Sequence, residues 1–255
     1  MDDILRDLIE GRITLEQARV EMDRRLYGDT DHNIDVAREE RTGIPEVVIA
    51  EGKSQDQLLS ISREFLKRKD RLLISRIGEE DAKVLLERLG LDPGGIDFDL
   101  EPTARFLSVW RRRSRRRSTG GKVGILTAGT SDIPAATEAE IMAREMGCEV
   151  KAYHDVGVAG VHRVWAPLRE LKQWDADVLI VAAGREGALP TLVSGMIDIP
   201  VIGLPISTGY GLHGKGETAL FAMLQSCSPL TVVNIDAGFV AGAVAARIAN
   251  HRKKV

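Results

Sequence analysis

KVGILTAGTSDIP, residues 122–134, decides how the chain folds. A run of strand length, KVGILTA, ends in a glycine and three polar residues, and Pro134 then stands where a helix would open. Four more strand-like runs follow: EVKAYHDV (149–156), DVLIVAA (177–183), PVIGLPI (200–206) and LTVVNI (230–235), with segments of helical length between them. Short apolar strands alternating with helices produce a parallel sheet covered on both faces, so residues 121–255 are expected to form a three-layer αβα sandwich.

Residues 1–120 have a different texture, charge-dense and poor in glycine. Thr14 with Gln17 and Ser54 with Gln57 fit the reciprocal capping box at a helix start. Behind the second box Leu58, Ile61 and Phe65 recur at helical spacing, which predicts one apolar face. EVVIA (46–50) and RLLIS (71–75) read as strands and EEDAKVLLERLG (79–90) as a helix stopped by Gly90. The spacing predicts a helical hairpin followed by a small α+β or α/β domain. SVWRRRSRRRSTGG (108–121), with six arginines from Arg111 to Arg117, reads as a linker or basic patch that closes this domain.

Composition narrows the function classes. The formal net charge is −3, and no aromatic residues beyond Trp110 interleave with the arginine run, so a nucleic-acid partner is not expected. No apolar run reaches the roughly 20 residues that span a bilayer, and MDDILRDLIE is acidic where a signal peptide is basic, so a cytoplasmic protein is expected. Cys148 and Cys227, the two cysteines, form no CxxC or Cys/His cluster, which argues against a disulfide framework and against a zinc site.

Ligands in such sheets bind beyond the carboxyl ends of the strands, where TAGTSDIP, DVGVAGVHR, AAGREGALP, ISTGYGLHGKGE and NIDAGF lie. Their glycine content predicts a ligand that approaches backbone, and a phosphate-bearing one fits. Thr130, Ser131 and Asp132 read either as the cap of the next helix or as partners for ribose and phosphate. His162 is a structural histidine or a proton carrier, with Arg163 beside it. Glu186 is a helix N-terminal charge or a general base whose site is buried. GYGLHGK (209–215) matches G-x-x-x-x-G-K, but Gly216 stands where a phosphate-binding ATPase needs Ser or Thr, which excludes nucleoside-triphosphate hydrolysis. Anion binding by the loop's amides, helped by Lys215, remains, as does a plain flexible lid. Cys227, in LQSCSPLTVVNIDAGF (224–239), would by itself read as a small buried thiol.

Through TAGTSD, the His162–Arg163 pair and AxGxxxALP, the second domain resembles the aminoimidazole-ribotide carboxylase superfamily, whose PurE-like fold is flavodoxin-like. TAGTSDIP, DVGVAGVHR, AAGREGALP, TGYG, ML-x-SC and VVNIDAGF together are more similar to the LarB family, and RTGIPEVVIAEGK (41–53) extends the likeness toward the N-terminus. LarB proteins carboxylate and hydrolyse nicotinic acid adenine dinucleotide at the start of nickel-pincer nucleotide synthesis. Where that family usually has Asn after NID, this chain has Ala237.

The resemblance implies Cys227 as nucleophile, Glu186 as base and His162 as a further proton carrier. It implies substrate contacts from Thr130, Ser131, Asp132 and Arg163, from Gly184, from Gly209, Gly211 and Lys215, and from Asp236. It further implies carbon dioxide as co-substrate, no tightly bound cofactor, magnesium as the candidate for the hydrolytic step, and a homo-oligomer, an octamer built from dimers with shared sites. The alanine-rich helix FVAGAVAARIANH (239–251) is expected to offer a face for that assembly. Cys227 follows a helix instead of opening one, so the helix dipole does not favour its thiolate, and the substrate's pyridinium charge is the expected activator. Two other readings compete: an aminoimidazole-ribotide carboxylase or mutase using His162, and a nucleotide-binding module without a nucleophile.

Overall fold

The computed structural model describes residues 2–27, 34–35, 37–90, 95–111, 118–208 and 214–253. The chain divides into two compact units, Met1–Asp99 with Leu107–Ser114 and Leu100–Phe106 with Arg115–Val255.

The first unit opens with the helices α1 (Asp2–Ile9) and α2 (Leu15–Tyr27). Both bonds of the Thr14/Gln17 box form, with Gln17 N–H donating to Thr14 Oγ1 and Thr14 N–H to Gln17 Oε1. The elements α3 (Arg38–Thr42), β1 (Val47–Ile49), α4 (Gln55–Arg68), β2 (Arg71–Ser75) and α5 (Glu79–Leu89) follow, then β3 (Ile96–Glu101) and β4 (Phe106–Arg111). Ser54 caps α4 in the expected box, and Leu58, Ile61 and Phe65 bury the predicted face. The four strands run in the order β1-β2-β4-β3, with β1 and β2 parallel. The strand β4 corrects the sequence reading, because Ser108–Arg111 belongs to the sheet and not to a linker. Arg111 is tied in place: its N–H donates to Asp70 O and its Nη2 to Leu66 O. The other five arginines of the run lie outside the described residues.

The second unit is the expected αβα sandwich. Its strands β5 (Lys122–Thr127), β6 (Glu149–Tyr153), β7 (Val178–Ala183), β8 (Val201–Pro205) and β9 (Thr231–Val232) are ordered β6-β5-β7-β8-β9 and pair in parallel throughout. Alternate residues of β7 supply the two cores: Val178, Ile180 and Ala182 on one face, Leu179, Val181 and Ala183 on the other. Both faces are fully buried, so β7 reads as a continuous apolar run without polar alternation.

The helices α6 (Ile133–Glu145) and α10 (Gly238–Arg252) cover the first face, and α7 (His162–Gln173), α8 (Ala188–Ser194) and α9 (Glu217–Leu224) the second. On α10 the small residues Gly238, Ala241, Gly242, Ala245, Ala246 and Ala249 are buried. A Cβ at Gly242 would stand 2.3 Å from Ala139 O on α6, so glycine alone permits this approach. The alanine face expected to join subunits is therefore spent within the chain.

Candidate active site

The strand order places the topological switch between β5 and β7, since the chain leaves β5 toward β6 and then returns to β7 on its other side. There the loops after β5, β6, β7 and β8 enclose a cleft of about 320 Å³. Ser131, Asp132, Asp155, Arg163, Arg185, Glu186 and Thr208 supply its polar lining, with Gly184 among its backbone walls. Several loop glycines serve loop packing and not ligand approach: Cβ atoms at Gly157, Gly187 and Gly238 would meet Ala128 O, Ala219 O and Ala135 O at 2.6 Å or less.

Asp132 does not cap α6. Its Oδ2 accepts the Gly129 N–H at 2.7 Å, folding the Thr130–Asp132 turn back on itself. Burial pushes its carboxyl above the ordinary value of 3.8, outweighing the hydrogen bonds from Gly129 and Ala128 that favour the anion. Ser131 faces Thr208 across the loops, with Thr208 Oγ1 at 3.5 Å from Ser131 O. Thr130 is exposed and is not among the lining residues.

Arg163 enters the cleft from the first turn of α7, where Asp155 holds it by an ion pair of 2.7 Å. His162, one residue earlier, is exposed and lies outside the lining. Glu186 lines the cleft as expected but is exposed, so the chain alone does not supply the burial that the base reading invokes. Asp236 has a scaffolding contact, its Oδ1 accepting the Ser207 N–H at 2.9 Å to fix the loop after β8. Lys215 is exposed with φ +60° just before α9 and does not line the cleft. Gly209 and Gly211 lie outside the described residues.

Cys227 is exposed, which corrects the buried-thiol reading, and it sits at the other end of the sheet from the cleft. It follows α9 and precedes β9, and the next residues are anchored where α8 ends, through a hydrogen bond from Ser194 Oγ to Pro229 O. The helix α8 starts two residues after Glu186, and its seven residues span about 10 Å. Within one chain the expected nucleophile and base are thus separated by the length of α8. The other cysteine is inert by burial: Cys148 is 6% exposed, and desolvation pushes its thiol up to about 11.

Sequence reasoning missed Asp155, Arg185 and Thr208 as cleft residues. All three stand within strand-end loops that were singled out, and Arg185 and Thr208 are each next to a chosen residue, Arg185 between Gly184 and Glu186 and Thr208 before Gly209, so they were legible in principle. Among the described residues no group of three or more His, Cys, Asp or Glu is arranged to hold a metal ion, and no helix is long and apolar enough to cross a membrane.

A parallel 2-1-3-4-5 sheet with a polar cleft at its switch point is the architecture of an AIR-carboxylase-type domain. The sequence model of the AIR carboxylase family matches residues 122–255, and that of the LarB/PurE-like N-terminal domain matches residues 29–111. The chain belongs to the LarB family of the PurE-like superfamily. An uncharacterized protein of Methanocaldococcus jannaschii is 39% identical over 252 residues, which are 96% of each chain. N5-carboxyaminoimidazole ribonucleotide mutase of Thermotoga maritima is 26% identical over 131 residues, 50% of this chain and 74% of that protein. A probable mutase of the same name from Methanothermobacter thermautotrophicus is 33% identical over 133 residues, 50% of this chain and 37% of that protein. Membership in a superfamily of carboxylases and mutases supports an enzyme.

Proposed function

We propose that this enzyme carboxylates the pyridinium ring of nicotinic acid adenine dinucleotide and hydrolyses its phosphoanhydride, giving pyridinium-3,5-biscarboxylate mononucleotide and AMP, the first step of nickel-pincer nucleotide synthesis. The observation that carries this reading is an exposed thiol in a chain whose switch-point cleft presents a carboxylate, Glu186. Carbon 5 of a cationic pyridinium is no nucleophile toward carbon dioxide, and the thiol removes that obstacle. The Cys227 thiolate adds to a ring carbon next to carbon 5, and the ring nitrogen takes up the displaced electron pair. The resulting enamine attacks carbon dioxide through carbon 5, Glu186 accepts the proton of that carbon, and expulsion of the thiolate restores the aromatic cation. Water then cleaves the phosphoanhydride.

This chemistry requires Cys227 of one copy at the cleft of another, because α8 keeps the two apart within a chain. The surface next to Cys227 suits a second copy: Phe221 and Leu224 on α9 are 57% and 62% exposed, on a helix of largely apolar sequence. Bringing Cys227 into a neighbour's cleft would also cover Glu186 and exclude water from it.

The test is incubation of the purified protein with the dinucleotide and bicarbonate, followed by mass spectrometry. AMP and a mononucleotide heavier by one carboxylate are expected. Turnover of aminoimidazole ribotide in place of the dinucleotide would assign the mutase chemistry of the relatives, and binding of the dinucleotide without any product would leave a nucleotide-binding module.

A further inference from the structure

The cleft is lined by two arginines. Arg163 stands on the β6 side against Asp155 at 2.7 Å. Arg185 stands on the loop between β7 and α8, directly before Glu186, and both side chains are exposed to the cleft between buried glycines. That loop is pinned on both sides. A Cβ at Gly184 would lie 3.1 Å from Asp132 Oδ1 and from Ile206 O, and Gly187, at φ +66°, would meet Ala219 O at 2.6 Å. A loop fixed so closely at its two glycines presents Arg185 and Glu186 in a constant relation to each other.

We infer that Arg185 reads the carboxylate on ring carbon 3 of the substrate and so selects the acid dinucleotide against its amide counterpart. The inference rests on the function proposed above. Consecutive Cα atoms are about 3.8 Å apart, and ring carbons 3 and 5 are separated by a single ring position. With Glu186 addressing carbon 5, its neighbour is placed to address the substituent on carbon 3. The guanidinium is a planar fork of donors that fits a carboxylate through two parallel hydrogen bonds. A carboxamide turns one of its two positions into a donor, which faces the fork with like polarity and forfeits one bond as well as the charge.

Equilibrium binding of nicotinic acid adenine dinucleotide and of NAD to the full-length protein tests this without requiring turnover. Wild type should prefer the acid. Arg185→Gln should weaken the acid about 10- to 100-fold, the worth of a charge-assisted bond, and leave NAD within about threefold. Arg185→Lys should recover part of the preference, since it restores the charge without the fork. Unchanged NAD binding also shows that the variant is folded. Equal weakening of both ligands, or a wild type without preference, overturns the role of Arg185 and leaves the proposed function standing. Failure of wild type to bind either dinucleotide overturns both.

Discussion

The two helical layers over the C-terminal sheet are built to different standards of closure. On one face α6 and α10 meet through glycine and alanine, backbone against backbone, and leave little apolar surface open. On the other, α7, α8 and α9 bury Val164, Leu171, Leu189 and Met223 beneath them yet expose Trp165, Phe221 and Leu224. The first layer is finished within the chain, whereas the second stays apolar outward, and the catalytic candidates Glu186 and Cys227 flank its helices. The difference teaches that close packing of small residues marks an interior, whereas the large exposed side chains beside Cys227 are where the second copy proposed above would sit.

Removing the proposed nucleophile from the open layer should have the largest effect. Cys227→Ser is expected to lower carboxylation by a factor on the order of a thousand or more while dinucleotide binding stays within about tenfold, because the hydroxyl keeps the volume and is a far poorer nucleophile at neutral pH. Product formation at the wild-type rate would end the covalent route.

The open layer's surface comes next. Phe221→Asp should leave the unfolding free energy of the chain within about 0.5 kcal/mol. It should weaken self-association at least about 30-fold, the value of one buried interface anchor, and carboxylation should fall with it. Sedimentation velocity across protein concentration reads this. An unchanged assembly would move the interface elsewhere.

The closed layer answers to the opposite manipulation. Gly242→Val should cost about 2–3 kcal/mol in urea unfolding, since the α6–α10 approach has no room for a side chain. Loss of assembly without loss of stability in that variant would invert the comparison.

A smaller effect is expected at Asp132, which sits where the two layers meet the cleft. Burial raises its carboxyl in the folded state above 3.8, so the folded protein holds this proton to higher pH than the unfolded chain does. Its contribution to stability is full below that ordinary value and is lost as pH rises through the folded value. Asp132→Asn should therefore be at least as stable as wild type at pH 7, with the difference closing on acidification. Chemical denaturation at several pH values reads it, and a variant that is destabilised only at neutral pH would contradict the assignment.

Much of this architecture was legible because strand and helix periods are local. The strands β5 to β8 announce themselves as short apolar runs, and both capping boxes formed as written. The strands β3 and β4 were missed because IDFDLE alternates with charge and FLSVWR runs into arginines, so pairing in the sheet decided them and not propensity. Small residues on α10 were read as a face for assembly, and in the structure they pack against α6, because nothing in the sequence says whether the partner of such a face is a neighbouring helix or another chain. At the site, the rule that ligands gather after strands found Asp132, Arg163 and Glu186. The same rule excludes Cys227, which stands before β9, and the distance across α8 appears only once the chain is folded.

The claim that one copy's thiol serves another copy's cleft is tested most directly by mixing two inactive variants. Cys227→Ser and Glu186→Gln protein, co-assembled in equal amounts and verified as mixed oligomers by native mass spectrometry, should recover about one quarter of wild-type carboxylation, the share of sites that receive an intact Glu186 and an intact Cys227 from different copies. Mixed oligomers no more active than the separate variants would show that each chain completes its own site, and would contradict the account.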